Sequence, residues 1–275
     1  MPKLKPRELE EIWDRFIKGE ETAEDERRVD SLVWQSWLRS RRAGVEPLQA
    51  KAEILQGREL EKILKKNRLL IAVAQSYLTK LSSFLQGEQF VVLITDAAGI
   101  VLDVAGGTCN FMSESKVQTY MHAGASRNEN YAGTNATGTC LILDQPLQIR
   151  GAEHFIKAHH IFTCSAAPIH DHDGRIIGCL SVLGPVQAHY KHTLGMVVAA
   201  ADGIEKEFKL RQAYRQTELV NSQLSRTLQA LSTGVIMTDP TGVIVQFNEY
   251  ACKILRQSRQ NLAGKHLAEY MRTEA

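Results

Sequence analysis

The sequence predicts an α+β fold, and three observations predict it. Apolar residues recur at three and four over the first 86 positions, and from Phe90 the period falls to two. A stretch free of glycine and proline, Ile204 to Leu231, then separates this strand-bearing region from a second one. The predicted order is an N-terminal helical segment, an antiparallel sheet with helices against one face, a long connecting helix, and the opening of another domain.

The helical segment comes first. Leu9, Ile12, Trp13, Phe16 and Ile17 form one apolar stripe, and Gly19 ends it. Thr22 is placed to cap a second helix whose Val29, Leu32, Val33, Ser36 and Trp37 line one side before Gly44 and Pro47 stop it. The basic run Arg39, Arg41 and Arg42 falls near that C-terminus, where cations suit the helix dipole, and reads as a solvated face in preference to a nucleic-acid patch. A third helical stretch, 57–86, carries Leu60, Ile63, Leu64, Leu69, Leu70, Val73, Ala74, Tyr77 and Leu81.

FVVLITD, a D-A-A-G turn at Asp96 to Gly99, and IVLDVAGG make a strand, a turn and a strand. A short helical segment and a polar loop, Ala123 to Asn135, follow. Leu147–Arg150, Ile161–His170 and Arg175–Leu183 read as strands, the last two joined by a D-H-D-G turn at Asp171 to Gly174.

The connecting helix has Leu210, Thr217, Leu224 and Leu231 seven apart, with Tyr214, Asn221 and Leu228 at the intervening fours. That is a seam for a second copy of the helix, roughly 40 Å long, with Asn221 placed to fix its register. After Ser232 come GVIMTD, a D-P-T-G turn, VIVQFN and a helix from near Asn248. This unit is short of the strands needed to cover its apolar face.

Composition narrows the function classes. The 275 residues carry 33 Lys plus Arg against 31 Asp plus Glu, so no global field gathers nucleic acid or anionic membrane. No run of about 18 apolar residues offers a membrane span, and the N-terminus lacks a signal peptide's apolar centre, so a cytoplasmic protein is expected. Cys109, Cys140, Cys164, Cys179 and Cys252 are an odd set without a C-x-x-C pair, which argues for reduced thiols.

Between Gly133 and Gly184 lie five histidines and three cysteines. His154, His159, His160, Cys164, His170 and His172 are potential metal ligands, but zinc-type spacings are absent and no metal or cofactor is expected. Cys164 beside His159 or His160 reads as a nucleophile and its base, or as a buried apolar filler. The third reading is a binding pocket. Thr134 or Asn135 caps a helix there, and Glu129, Glu153, His154 and Cys164 bring groups that line or brace a small-molecule site.

SWLRSRRAGVEP (Ser36 to Pro47), DAAGIVLDVAGG, E-x-x-x-GTNATGT (Glu129 to Thr139), GAEHF (Gly151 to Phe155) and TCSAAPIHDHDGRIIGCLSVLG (Thr163 to Gly184) follow one another in order. Over residues 30 to 213 this order resembles the N-terminal sensory half of bacterial sigma-54-dependent transcription activators. The branch is the one that regulates acetoin, or glycerol and dihydroxyacetone, catabolism. The resemblance implies a helical segment at 1–66, a GAF sensory domain at 67–203, a connecting helix at 204–231 and the N-terminal part of a PAS domain at 232–275. It implies no enzyme activity but a small-molecule inducer or regulatory protein as partner, a homodimer through 204–231, and no membrane. Sigma-54 RNA polymerase and DNA would be met by an ATPase and a helix-turn-helix domain outside this chain. Where relatives often carry Trp-Ser-Glu, this sequence has Arg127, Asn128 and Glu129, and a cation in place of an aromatic alters what a pocket admits. Two further readings stay open: an input module for a histidine kinase or cyclic-dinucleotide enzyme, and a GAF-fold methionine sulfoxide reductase using Cys109, Cys140 or Cys164.

Overall fold

In the computed structural model, which describes residues 4–50, 53–85, 90–106, 121–188 and 191–270, the chain divides into two units, Met1–Lys209 and Leu210–Ala275. The first unit is built on a five-stranded sheet of order β2-β1-β5-β4-β3, with every neighbouring pair antiparallel. Its strands are β1 (Val91–Asp96), β2 (Val101–Gly106), β3 (Leu147–Arg150), β4 (Phe162–His170) and β5 (Ile176–Pro185).

Both faces of the sheet are covered, which corrects the expectation of helices on one face. Side chains alternate along a strand, and β1, β4 and β5 are apolar at both parities, so each has two faces to bury. On one face Val92, Ile94, Ala167, Ile169, Leu180 and Val182 meet α5 (Arg68–Phe84) and Val197, Ala201 and Ile204 of α8 (Lys191–Ala230). On the other, Val91, Cys164, Ala166, Cys179 and Leu183 join α1 (Pro6–Lys18), α3 (Ser31–Arg42) and α7 (Ala136–Leu143) through Ile12, Trp13, Phe16, Trp34, Trp37 and Cys140. The N-terminal helices thus share a core with the sheet.

Local polar chemistry sets the element ends. Gly19 caps α1 at φ 74°, as its position implies. Thr22 accepts from the Asp25 amide and starts α2 (Ala23–Arg28), but the helix expected to run on to Gly44 stops at Val29. Asp30 there accepts from the Leu32 amide at 2.9 Å and restarts the chain as α3. The expected 57–86 helix is likewise two, α4 (Gly57–Lys66) and α5, divided where the Asn67 side chain donates to the Ile63 carbonyl at 3.0 Å.

All three D-x-x-G turns use one geometry. The aspartate Oδ1 accepts from the amides two and four residues on, at Asp96, Asp171 and Asp239, and the glycine takes a left-handed φ of 82°, 76° or 87°. Within the predicted polar loop a short helix, α6 (Glu129–Ala132), forms. The helical segment expected after Gly106, and Cys109 with it, lie outside the described residues.

In the second unit β6 (Ile236–Thr238) and β7 (Ile244–Phe247) form a hairpin followed by α9 (Glu249–Leu255) and α10 (Arg259–Leu262). Asn248 is fully buried and joins its parts: Oδ1 caps Ala251 and accepts from Val235, while Nδ2 donates to Leu228 and Thr233 carbonyls. Among the described residues no helix is long and apolar enough to cross a membrane.

Candidate functional site

Two polar groups lie on the α7 side of the sheet. The outer one joins α3 to the loops. Glu129, 1% exposed at the start of α6, accepts from the Ser36 and Thr139 hydroxyls and takes Arg39 bidentately, Nε at 2.8 Å and Nη2 at 3.1 Å. Ser36 Oγ in turn accepts from the Thr134 hydroxyl at 2.7 Å. Ser36, Arg39 and Ser40 share a helix face because they are three and four apart. Thr134 and Glu129, expected around a pocket, thus have their side chains taken up by α3. The basic run does not behave as one solvated face, since Arg39 is drawn in by Glu129 and Arg41 stacks 4.3 Å from the Phe16 ring centroid.

Asn135 organises the passage between the groups. Its Oδ1 accepts from the Gly138 amide at 3.0 Å, capping α7, while Nδ2 donates to the carbonyls of Arg127 and Gly133. A Cβ at Gly138 would stand 2.5 Å from the Arg127 carbonyl oxygen, so the close approach requires glycine. Glu153 braces its own turn, accepting from the Arg150 amide at 2.6 Å, and its carbonyl accepts from the Trp37 indole at 2.8 Å.

The inner group is Arg127, His154, His159 and Cys164, all buried. His154 Nδ1 lies 3.0 Å from the Gly151 carbonyl, which can only accept, so Nδ1 carries the proton and Nε2 accepts from the Cys164 thiol at 3.3 Å. Burial pulls the His154 pKa down to about 3 and pushes the Cys164 thiol up to about 12. His159 is held well below its ordinary range by burial first and then by the nearby Arg127 charge. The thiol is protonated and the imidazoles are neutral, the reverse of an activated Cys–His nucleophile. Cys140 and Cys179 approach to 3.7 Å between sulfurs in the same core, and the Cys179 hydrogen bond and burial drive the Cys140 pKa far up.

Two other histidines of the stretch, His170 and His172, lie at the far end of β4 and in the turn that follows it. His170 is bracketed by Glu205 and Asp144, at 2.6 Å each. Asp171, His172 and Asp173 have ligand atoms within 4.8 Å of one another, but on a turn that already uses Asp171, and Asp173 pairs with Arg175. Sequence reasoning drew Glu153, His154 and Cys164 from the motifs, but it passed over Ser36 and Arg39, and gave Arg127 only as a departure. The i, i+3, i+4 spacing of Ser36, Arg39 and Ser40 inside a quoted motif was the available signal.

The sheet is thus covered on both faces, with a buried polar group on one and a long outgoing helix packed on the other. The chain belongs to the family described as "MimR, N-terminal domain", whose model matches residues 10–207, and residues 222–275 match the PAS fold. It is 34% identical over 216 residues to a "Signal-transduction and transcriptional-control protein" of Clostridium beijerinckii, covering 78% of this chain and 34% of that one. Likeness to the "Acetoin dehydrogenase operon transcriptional activator AcoR" of Bacillus subtilis (strain 168) is 31% over 265 residues, or 96% of this chain and 42% of AcoR. The chain therefore spans less than half the length of these curated relatives. In fold it is similar to the Escherichia coli DhaR(N)–DhaL complex, with a TM-score of 0.75 and 20% identity over 87% of this chain and 81% of that one.

Proposed function

We propose that the chain is the input half of a sigma-54-dependent transcription activator. Residues 67–203 act as a GAF-type sensory domain, 1–66 as its helical brace, 204–231 as the signalling helix and 232–275 as the first part of a PAS domain. The signal is a small metabolite met by Arg127, His154, His159 and Cys164, with Glu129, Thr134, Asn135 and Glu153 holding the loops around them. In the intact protein the response passes to an ATPase that works on sigma-54 RNA polymerase and to a DNA-binding domain, all in the cytoplasm.

The observation that carries this reading is the two-sidedness of β4. Cys164 meets the inner group on one face, while Ala167 and Ile169 pack with Val197, Ala201 and Ile204 of α8 on the other. A ligand that preferred one packing of this strand tenfold would bias α8 by about 1.4 kcal/mol. Isothermal calorimetry of the chain with a panel of small metabolites, neutral ones such as acetoin beside small acids, tests the reading. Binding that Glu153→Ala and His154→Ala weaken at least tenfold, without loss of fold, is expected. Binding unchanged in both variants sinks it.

A regulatory protein is the second reading, favoured by the fold shared with the DhaR(N)–DhaL complex. Co-purification of a DhaL-type subunit with the chain, together with silence in calorimetry, would select it.

A further inference from the structure

Arg127 is 4% exposed, and among the described residues its guanidinium has neither a carboxylate nor a hydrogen-bond acceptor; burial alone lowers its pKa, opposed only by the neighbouring Cys164. A guanidinium does not give up its proton in a protein. An uncompensated buried charge is among the most costly things a fold can contain. The backbone nonetheless holds this cation in place: its amide donates to the Gly99 carbonyl at 2.7 Å, and its carbonyl accepts from Asn135 at 2.9 Å and closes on Gly138.

A second orphan lies in the same group. His159, 2% exposed, has no hydrogen-bond partner at either ring nitrogen among the described residues, although its ring centroid is 6.0 Å from that of His154. A neutral imidazole has one N–H to donate and one lone pair to fill, and a buried one is almost always satisfied. One fixed cation and one idle donor therefore share the interior with a protonated thiol, and no described carboxylate answers them.

We infer that this inner group is the recognition site for a small monoanionic ligand, a carboxylate, seated on the Arg127 guanidinium with the His159 N–H donating to it. The inference rests on the reading of the inner group as the sensing site and names its ligand class. Carboxylate matches the planar guanidinium fork with two parallel hydrogen bonds. The charge count favours it over phosphate, because a single cation among neutral imidazoles balances one negative charge and leaves a dianion half uncompensated. The neutral inducers suggested by the relatives' names would leave Arg127 as it is.

The test uses the 275-residue chain and its thermal unfolding. The probes are monocarboxylates of rising size, acetate, pyruvate and benzoate, each beside its own neutral amide, with inorganic phosphate and chloride at matched ionic strength. At least one acid should raise Tm by about 5–10 °C at about a hundred times its Kd, while its amide, phosphate and chloride do not. Arg127→Met should abolish that shift and, without ligand, unfold no earlier than the parent, because it removes a charge that lacked a partner. His159→Leu should weaken the acid's binding at least tenfold. If amides stabilise as well as acids, the anion assignment is overturned and small-molecule sensing survives. If phosphate alone stabilises, the site takes a different anion and the carboxylate assignment falls. If no probe acts and Arg127→Met lowers Tm, the cation is structural and the inference is lost.

Discussion

Glu129 shows how one residue can decide whether the N-terminal helices belong to the sheet. It accepts from two hydroxyls and a guanidinium while 1% exposed, so removing its charge strands Arg39 against a buried surface. Glu129→Gln should cost about 3 kcal/mol, the lower end for breaking a buried pair because Arg39 keeps some water. Urea unfolding measures it, and Glu129→Gln with Arg39→Met should recover part of the loss. A cost under about 0.5 kcal/mol would show that the bridge behaves as a surface pair. Glu129 and Thr134 stand out in the motifs as residues that line or brace a small-molecule site, but the motifs do not name their partners. Their partners come from a helix some 90 residues earlier, and the hydrogen bonds that claim them, with Ser36, cross sequence separations of 93 and 98. Local spacing cannot report such a pairing.

At the scale of elements, the end of β4 is fastened to α8 by His170. Burial lowers its pKa, but the bonds to Asp144 and Glu205 and their charges outweigh that, so the net shift is upward from 6.5, and the Glu205 pKa falls. A raised histidine pKa means stability that is fully present below about 6.5 and fades as pH rises through the folded-state value. The chain should therefore lose stability as pH rises above about 6.5, and His170→Gln should flatten that slope, as read by chemical unfolding at stepped pH. A slope unchanged in His170→Gln would remove His170 from the linkage. The D-x-x-G turns and the Thr22 and Asn135 caps were legible in the sequence, because each is completed within four residues. The breaks at Val29 and Asn67 were not: apolar periodicity continues through both, and one side chain's competition with the helix decides each.

For the whole molecule, the seam carried by α8 and the residue after it is exposed among the described residues. Leu210 is 70% exposed, Tyr214 65%, Leu224 46% and Leu231 43%, all on the heptad read from sequence. Such a stripe is stable when a second copy covers it. Light scattering should find a dimer at micromolar concentration, and Leu210→Lys with Leu224→Lys should give a monomer with its sheet intact by circular dichroism. A monomeric parent chain would refute the seam. Occupancy of the inner group would then be felt across two copies through α8, which leaves the sheet's other face.

The sequence by itself determined the kind of architecture, the approximate strand positions, the turn chemistry, the heptad and the family motifs, because all of these are written in periods and spacings of a few residues. Only the tertiary structure decided that the N-terminal helices complete the sheet's second face, that Glu129 pairs with α3, and that Arg127 is buried without a counter-charge among the described residues. Burial and charge balance depend on every segment that closes over a residue, and those segments meet only when the chain has folded.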